Sequence, residues 1–171
     1  MEFMDASINV ASYNIHKGLS QFNRRLTVHE MRDRLGALGT DIVFLQEVQH
    51  SHSLRASRFQ HWPSQPQHEF LAGHIYTEFA YGKNCVYDSG HHGNAILSRH
   101  KILSWENEDI SAHAYESRGM LHCEIEVPGI ARPVHCINVH LALNEGGRRR
   151  QLAQIAARVR KMVPDGAPLI L

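Results

Sequence analysis

Glu47 closes the run Asp41-Ile42-Val43-Phe44-Leu45-Gln46-Glu47. A lone carboxylate at the end of a buried strand is costly to desolvate unless a positive group meets it. A hard divalent cation such as Mg²⁺ is one such group and an arginine is another, and the local sequence leaves both open. Asn14, in Ser12-Tyr13-Asn14-Ile15, offers an amide beside Glu47 if their two strands are neighbours; by itself it also suits a turn. His140 ends Asn138-Val139-His140-Leu141. An imidazole there suits protonation of a leaving oxygen or stabilisation of charge on a pentavalent phosphorus, and equally a hydrogen-bonded place in the core. Gly93-Asn94 joins a close backbone approach to an amide, or forms a plain loop-to-strand junction. Arg118, between Ser117 and Gly119, has the fork for a phosphate or for a surface ion pair.

Periodicity predicts the elements that must hold these groups. Ile8 to Tyr13 alternates apolar with small or polar residues, a strand stopped by Gly18. Thr27-Val28-His29-Glu30 has capping-box spacing, and Leu26, Met31, Leu35 and Leu38 recur at helical intervals up to Gly39. The continuous apolar run before Glu47 reads as a strand buried on both faces. Strand, helix, strand is an α/β opening, and open α/β sheets place ligands at the carboxyl ends of their strands. The stretch from His50 to His92 reads as long polar loops punctuated by Trp62-Pro63 and Tyr81-Gly82. A strand is expected over 94–98, and an antiparallel hairpin over 119–127 and 133–141 around Pro128-Gly129, so the sheet is mixed. Leu152, Ile155, Ala156, Val159 and Met162 predict an amphipathic helix over 148–163, and Leu169-Ile170-Leu171 a further strand.

With 171 residues, 43% hydrophobic and 20% charged, the composition is that of one globular unit able to bury a core. Lys and Arg number 18 against 17 Asp and Glu, a net charge of +1, so no bulk field drives the chain onto nucleic acid and any anion binding must be local. Arg24, Arg25 and the basic face of the 148–163 helix are solvated faces or contacts to an anionic substrate. The 14 histidines lack HExxH spacing and are expected mostly at the surface. Cys85, Cys123 and Cys136 lack CxxC spacing, and buried free thiols are expected rather than disulfides or a zinc site. No apolar run reaches about 18 residues, and Met1 to Asp5 lacks the features of a signal peptide, which predicts a cytoplasmic protein.

Together, Ser12-Tyr13-Asn14-Ile15, the run ending at Glu47, His92-Gly93-Asn94-Ala95-Ile96-Leu97-Ser98 and Asn138-Val139-His140-Leu141 follow the order and approximate spacing of the endonuclease/exonuclease/phosphatase superfamily. That superfamily includes pancreatic-type deoxyribonucleases, abasic-site endonucleases, neutral sphingomyelinases and inositol polyphosphate 5-phosphatases. From Ile8 to Leu171 the chain resembles the N-terminal two thirds of its small bacterial members. The resemblance implies a partial four-layer α/β sandwich, with mixed, mainly antiparallel β-sheets flanked by helices, and makes residues 1–171 an incomplete domain. It implies Glu47 as the carboxylate ligand of Mg²⁺ or Mn²⁺, with Asn14 helping to place that ion or the scissile phosphate. It implies His140 as the residue that contacts the phosphate and stabilises the transition state, with Asn94 and Arg118 in secondary catalytic roles. The implied chemistry is in-line attack of water on a phosphodiester of nucleic acid or of a phospholipid headgroup.

The family's Gly-Asp-x-Asn motif follows an apolar strand, and neither it nor the later Asp-His pair occurs within these 171 residues. The expectation is a metal-dependent phosphodiesterase or phosphatase fold that is weak or inactive as this chain and self-associates through exposed sheet. The alternative is a non-catalytic remnant that binds a metal or a partner. A histidine-rich binder of Zn²⁺ or Ni²⁺, indifferent to Glu47, is a third.

Overall fold

The computed structural model describes residues 7–171, so the expectation made on Met1 to Asp5 falls outside the described residues. β1 (Val10–Asn14) passes through α1 (Val28–Ala37) into β2 (Ile42–His52), and β1 and β2 pair in parallel. The α1 start falls where predicted, but the capping box is not made: Thr27 caps nothing with its side chain, and Glu30 instead accepts from Arg25 Nη1 at 2.6 Å.

The stretch read as loops is largely structured. β2 runs on to His52, followed by α2 (Ser53–Arg58), α3 (Gln67–Ala72), β3 (Glu78–Tyr87) and β4 (Gly90–Ser98). The first sheet has the order β1-β2-β4-β3. β5 (Lys101–Asp109), β6 (Gly119–Glu126), β7 (Val134–Val139) and β8 (Leu169–Ile170) form the second in chain order, and α4 (Glu145–Met162) connects β7 to β8. The predicted β6–β7 hairpin is present, with Met120 opposite Val139 and Ile125 opposite Val134.

Alternation along β2 explains the layers. Ile42 and Phe44 point between the sheets, where they meet Ala80 and Ile96 of their own sheet and Leu121, Cys123, Ile125, Val134 and Cys136 of the other. Val43 and Leu45 point outward under α1 and α3, against Val28, Leu35, Leu71 and Tyr76. Ile155 of α4 packs on Ile110, Met120 and Ile137 outside the second sheet. The result is a helix–sheet–sheet–helix sandwich of mixed sheets, as expected. All three cysteines are free, with Cys123 and Cys136 buried. No helix among the described residues is long and apolar enough to cross a membrane.

Candidate active site

The site is built on a fault in β2. Leu45 pairs with Ala95 and the next pair is Val48 with Gly93, so Gln46 and Glu47 together stand opposite Asn94. Strict alternation would send Glu47 after Val43 and Leu45 into the helix-side core. The extra residue gives that place to Val48, which is fully buried there, and turns Glu47 out at the sheet end. Glu47 takes a left-handed φ of 53°, a conformation that costs a non-glycine residue about 1–3 kcal/mol.

Asn14 lies beside it because β1 pairs in register, Asn14 against Gln46. Asn14 Nδ2 donates to Glu47 Oε1 at 3.0 Å, and Asn14 Oδ1 accepts the His16 N–H at 2.9 Å. His16, Lys17 and Gly18 follow with φ of 48°, 60° and 72°, a left-handed turn that lays two side chains over the carboxylate. Lys17 Nζ donates to Glu47 Oε2 at 2.8 Å, and His16 Nδ1 stands 3.4 Å from the same oxygen. The positive partner that Glu47 demanded is thus a lysine, not an arginine.

Gln67, only 1% exposed, straps the two strained segments together. Its Nε2 donates to the Lys17 carbonyl at 2.8 Å, and its Oε1 accepts the Gln49 N–H at 3.0 Å. A Cβ on Gly18 would sit 2.4 Å from Gln67 Nε2, so the position needs glycine for space as well as for its φ.

Burial works to raise the Glu47 pKa, but hydrogen bonds from Lys17 and Asn14, with the charges of Lys17 and His140, outweigh it and bring the carboxyl down to about 2. His140 follows directly on β7; burial first and then Arg118 hold its pKa below the ordinary imidazole value, against the pull of Glu47. His92 in β4 is held at about 4 by burial and by Lys17, with Arg55 and Arg118 adding to the effect and Glu47 opposing it. At neutral pH Glu47 is therefore ionised, and His92 and His140 are uncharged, within the field of Lys17, Arg55 and Arg118.

Amides join the sheets beneath these groups. Asn138 Nδ2 donates to the carbonyls of Leu45 and Ala95, both at 2.8 Å, and its Oδ1 accepts from Gln46 Nε2 at 2.7 Å. Asn94 Nδ2 donates to the Gly119 carbonyl at 3.1 Å and lies 3.4 Å from that of Asn138. The structure therefore brings Asn14, Glu47, Arg118 and His140 to one end of the sandwich and sets Asn94, 1% exposed, just beneath as a tie between sheets. Arg118 is anchored by its Nη2 to Glu116 Oε1 at 2.8 Å and by its Nε to the Leu141 carbonyl at 3.2 Å.

Among the described residues, no three His, Cys, Asp or Glu side chains are grouped to hold a metal. One half-buried carboxylate with a fixed amide is nonetheless the donor chemistry that Mg²⁺ takes, since that ion binds through one or two carboxylates and completes its shell with water and substrate phosphate. The residues present fit such an ion with Glu47 as the ligand; a zinc or nickel site built from imidazoles does not match this arrangement.

The sequence profile of the Endonuclease/Exonuclease/phosphatase family matches residues 11–171. The chain belongs to that family. An uncharacterized protein, YbhP, of Escherichia coli strain K12 is 44% identical over 165 residues, which cover 96% of this chain and 65% of YbhP. The chain thus spans a little under two thirds of the length of the curated relatives it matches. Solved structures share the fold. An endonuclease/exonuclease/phosphatase from Beutenbergia cavernae superposes with a TM-score of 0.69 at 19% identity, over 95% of this chain and 45% of that one. D. rerio TDP2 complexed with single-strand DNA product gives 0.63 at 19% identity, over 96% and 59%. A mannosyl-6-phosphatase of Bacteroides thetaiotaomicron gives 0.66 at 13%, over 95% and 63%.

Sequence reasoning within the family motifs did not single out Lys17, Gln67, His92 or Asn138. Lys17 carried one usable signal, a cation directly before a glycine at the end of β1; Gln67 carried none, lying in a segment read as loop.

Proposed function

We propose that this family member is a divalent-metal-dependent phosphoester hydrolase in which Glu47 holds Mg²⁺ or Mn²⁺. The observation that carries this reading is Glu47 itself, kept ionised on a strained bulge, bonded to Asn14 and surrounded by Lys17, Arg118, His92 and His140. When bound, the metal supplies neutralisation of charge on the phosphoryl oxygens. Asn14 fixes the plane of the Glu47 carboxylate through the bond to Oε1. His140, uncharged at neutral pH, donates a hydrogen bond to a phosphoryl oxygen as negative charge grows there in the transition state. Arg118 adds to the burial that keeps His140 uncharged and supplies long-range attraction for the anion, while Asn94 ties the two sheet ends together.

The substrate proposed is a phosphodiester of nucleic acid or of a phospholipid headgroup. Two of the fold neighbours are of the phosphoester class by name, a mannosyl-6-phosphatase and a protein complexed with single-strand DNA product. No residue among these 171 stands out as a base for the attacking water, so turnover by this chain alone is expected to be weak. Self-association through exposed sheet is expected as well, visible as concentration-dependent sedimentation. Free thiols fit a reducing, cytoplasmic setting.

The test is hydrolysis of bis-p-nitrophenyl phosphate with Mg²⁺ or Mn²⁺ by the chain, by a version extended to the length of its relatives, and by Glu47→Gln and His140→Ala in each. Metal-dependent turnover lost in both variants is expected. Turnover indifferent to Glu47 refutes the assignment. Metal binding without turnover in the extended protein, abolished by Glu47→Gln, selects the non-catalytic alternative.

A further inference from the structure

The end of the sandwich that carries Glu47 also carries the most exposed large apolar side chains. The register places them there. β1 ends at Asn14 and β2 passes Glu47 toward His52, so the 15–27 loop, α2 and the β3–β4 turn lie at this end. β6 begins opposite the last residue of β7, and Asn138 bonds to Leu45, so the 110–118 and 140–144 loops lie there too. On these segments stand Phe22, 72% exposed, Leu54, 68%, Tyr115, 82%, and Leu143, 84%.

Arginines alternate with them. Arg24 sits 5.5 Å from the Phe22 ring centroid, with Arg25 beside it. Arg55 and Arg58 share α2 with Leu54, and Arg148, Arg149 and Arg150 open the helix that follows Leu143. Of the acids at this end, Glu30, Glu116 and Glu145 are tied to Arg25, Arg118 and Arg149, and Asp109 accepts the Ser111 N–H. Asp88 lies in the β3–β4 turn. Arg24, Arg55, Arg58, Arg148 and Arg150 have no carboxylate partner among the described residues, so a chain whose net charge is only +1 carries a surplus of cations at this end.

Scattered exposed apolar residues are ordinary, but four of them ringing a cationic site are not. Single-stranded nucleic acid would be met by flat aromatic platforms on which bases stack. Two of the four here are leucines, which have no π face and instead gain free energy by entering hydrocarbon. Apolar tips interleaved with arginines are the chemistry of an interface between water and an anionic bilayer.

We propose that this end of the molecule seats on a membrane surface containing anionic phospholipid, with Phe22, Leu54, Tyr115 and Leu143 entering the interface. That the headgroup phosphodiester then reaches Glu47 rests on the hydrolase reading; the seating itself does not.

The experiment is co-sedimentation of the 171-residue protein with phosphatidylcholine vesicles, with and without phosphatidylglycerol. Binding is expected only with phosphatidylglycerol. Leu54→Ser and Leu143→Ser should each lower the partition coefficient about tenfold, and together about a hundredfold. Arg24→Ala should lower it about fivefold. Leu38→Ser, equally apolar and 60% exposed but at the far end of α1, should leave it unchanged. Glu47→Gln should also bind as the parent does, so a failure of the hydrolase reading leaves this measurement standing. Absence of binding to phosphatidylglycerol vesicles overturns the proposal, as does binding that ignores both leucines. Binding to a single-stranded oligodeoxynucleotide in place of vesicles, weakened by the same two substitutions, also overturns it and makes this face a nucleic-acid surface.

Discussion

Replacing Gln67 with leucine tests whether the site geometry is imposed from a distance. The side chain keeps about the same volume, but two hydrogen bonds go, one to the Lys17 carbonyl and one from the Gln49 N–H. Both backbone groups are left without a partner in a region closed to water, at about 1–3 kcal/mol each, so Gln67→Leu should destabilise the fold by about 2–6 kcal/mol in urea unfolding. The functional effect should exceed what stability alone explains, because the turn at Lys17 and the bulge at Glu47 are both left-handed and both lose their strap. Mn²⁺ affinity, read by electron paramagnetic resonance on folded protein, should fall at least tenfold. Tyr76→Phe is the control: it removes buried hydrogen bonds to Thr40 and the Leu35 carbonyl in the same helix-side core and touches nothing at the site. If Gln67→Leu and Tyr76→Phe leave Mn²⁺ affinity equally intact, the strap is structural only and the reasoning fails.

Asn138→Leu removes the hydrogen bonds to two strand carbonyls and one of the two made by the Gln46 amide and should cost about 2–5 kcal/mol in urea unfolding, with little loss if the sheets are held by apolar packing alone. His68, 4% exposed against Tyr81 and Phe79, has its pKa held down to about 4 by burial and then by His50 and His91. A histidine with a depressed folded pKa binds its proton in the unfolded chain first, so stability is full above about 6.5 and falls as pH drops toward 4, by up to about 1.4 kcal/mol per pH unit. His68→Phe should flatten that slope in urea titrations across the window. Cys85 alone should react promptly with an aromatic disulfide reagent in the folded protein and all three cysteines after denaturation without reductant; a missing pair after denaturation would mean that Cys123 and Cys136 are joined.

The legible parts of the fold are those with a clean period. Both faces of β2 were read from an unbroken apolar run, and the β6–β7 hairpin from alternation around Pro128-Gly129, and these place Asn14, Glu47 and His140 together. β3 was hidden because Gly82-Lys83-Asn84 interrupts its alternation, and the interruption is a real bulge between Lys83 and Cys85. β5 is a mostly exposed edge strand whose Glu106 and Glu108 look like a solvated loop but pair with Arg158 of α4. On α4 itself the buried stripe is displaced from the one counted: Leu152 is exposed, and Gln151 goes inside to satisfy the Ala142 N–H and the Ile110 carbonyl. Hydrophobic periodicity has no means of anticipating a buried amide that answers backbone groups so far away in sequence.

Those amides explain why the site can be strained and still be specified. A bulge frees backbone donors and acceptors, and the side chains that answer backbone groups around this one are Gln49, Gln67, Asn94 and Asn138 rather than ion pairs. An amide offers a donor and an acceptor at once, so Gln67 holds a carbonyl and an N–H from two separate strained segments with one side chain. A buried charge doing the same work would need its own counter-ion and would shift every pKa around it. Because the scaffold is tied by neutral groups, the charges that act at the strand ends are those of Glu47, Lys17, Arg55 and the Arg118–Glu116 pair. Burial first, and then the nearby cations, keep His92 and His140 uncharged, while the hydrogen bonds and charge of Lys17 and the hydrogen bond of Asn14 keep Glu47 ionised.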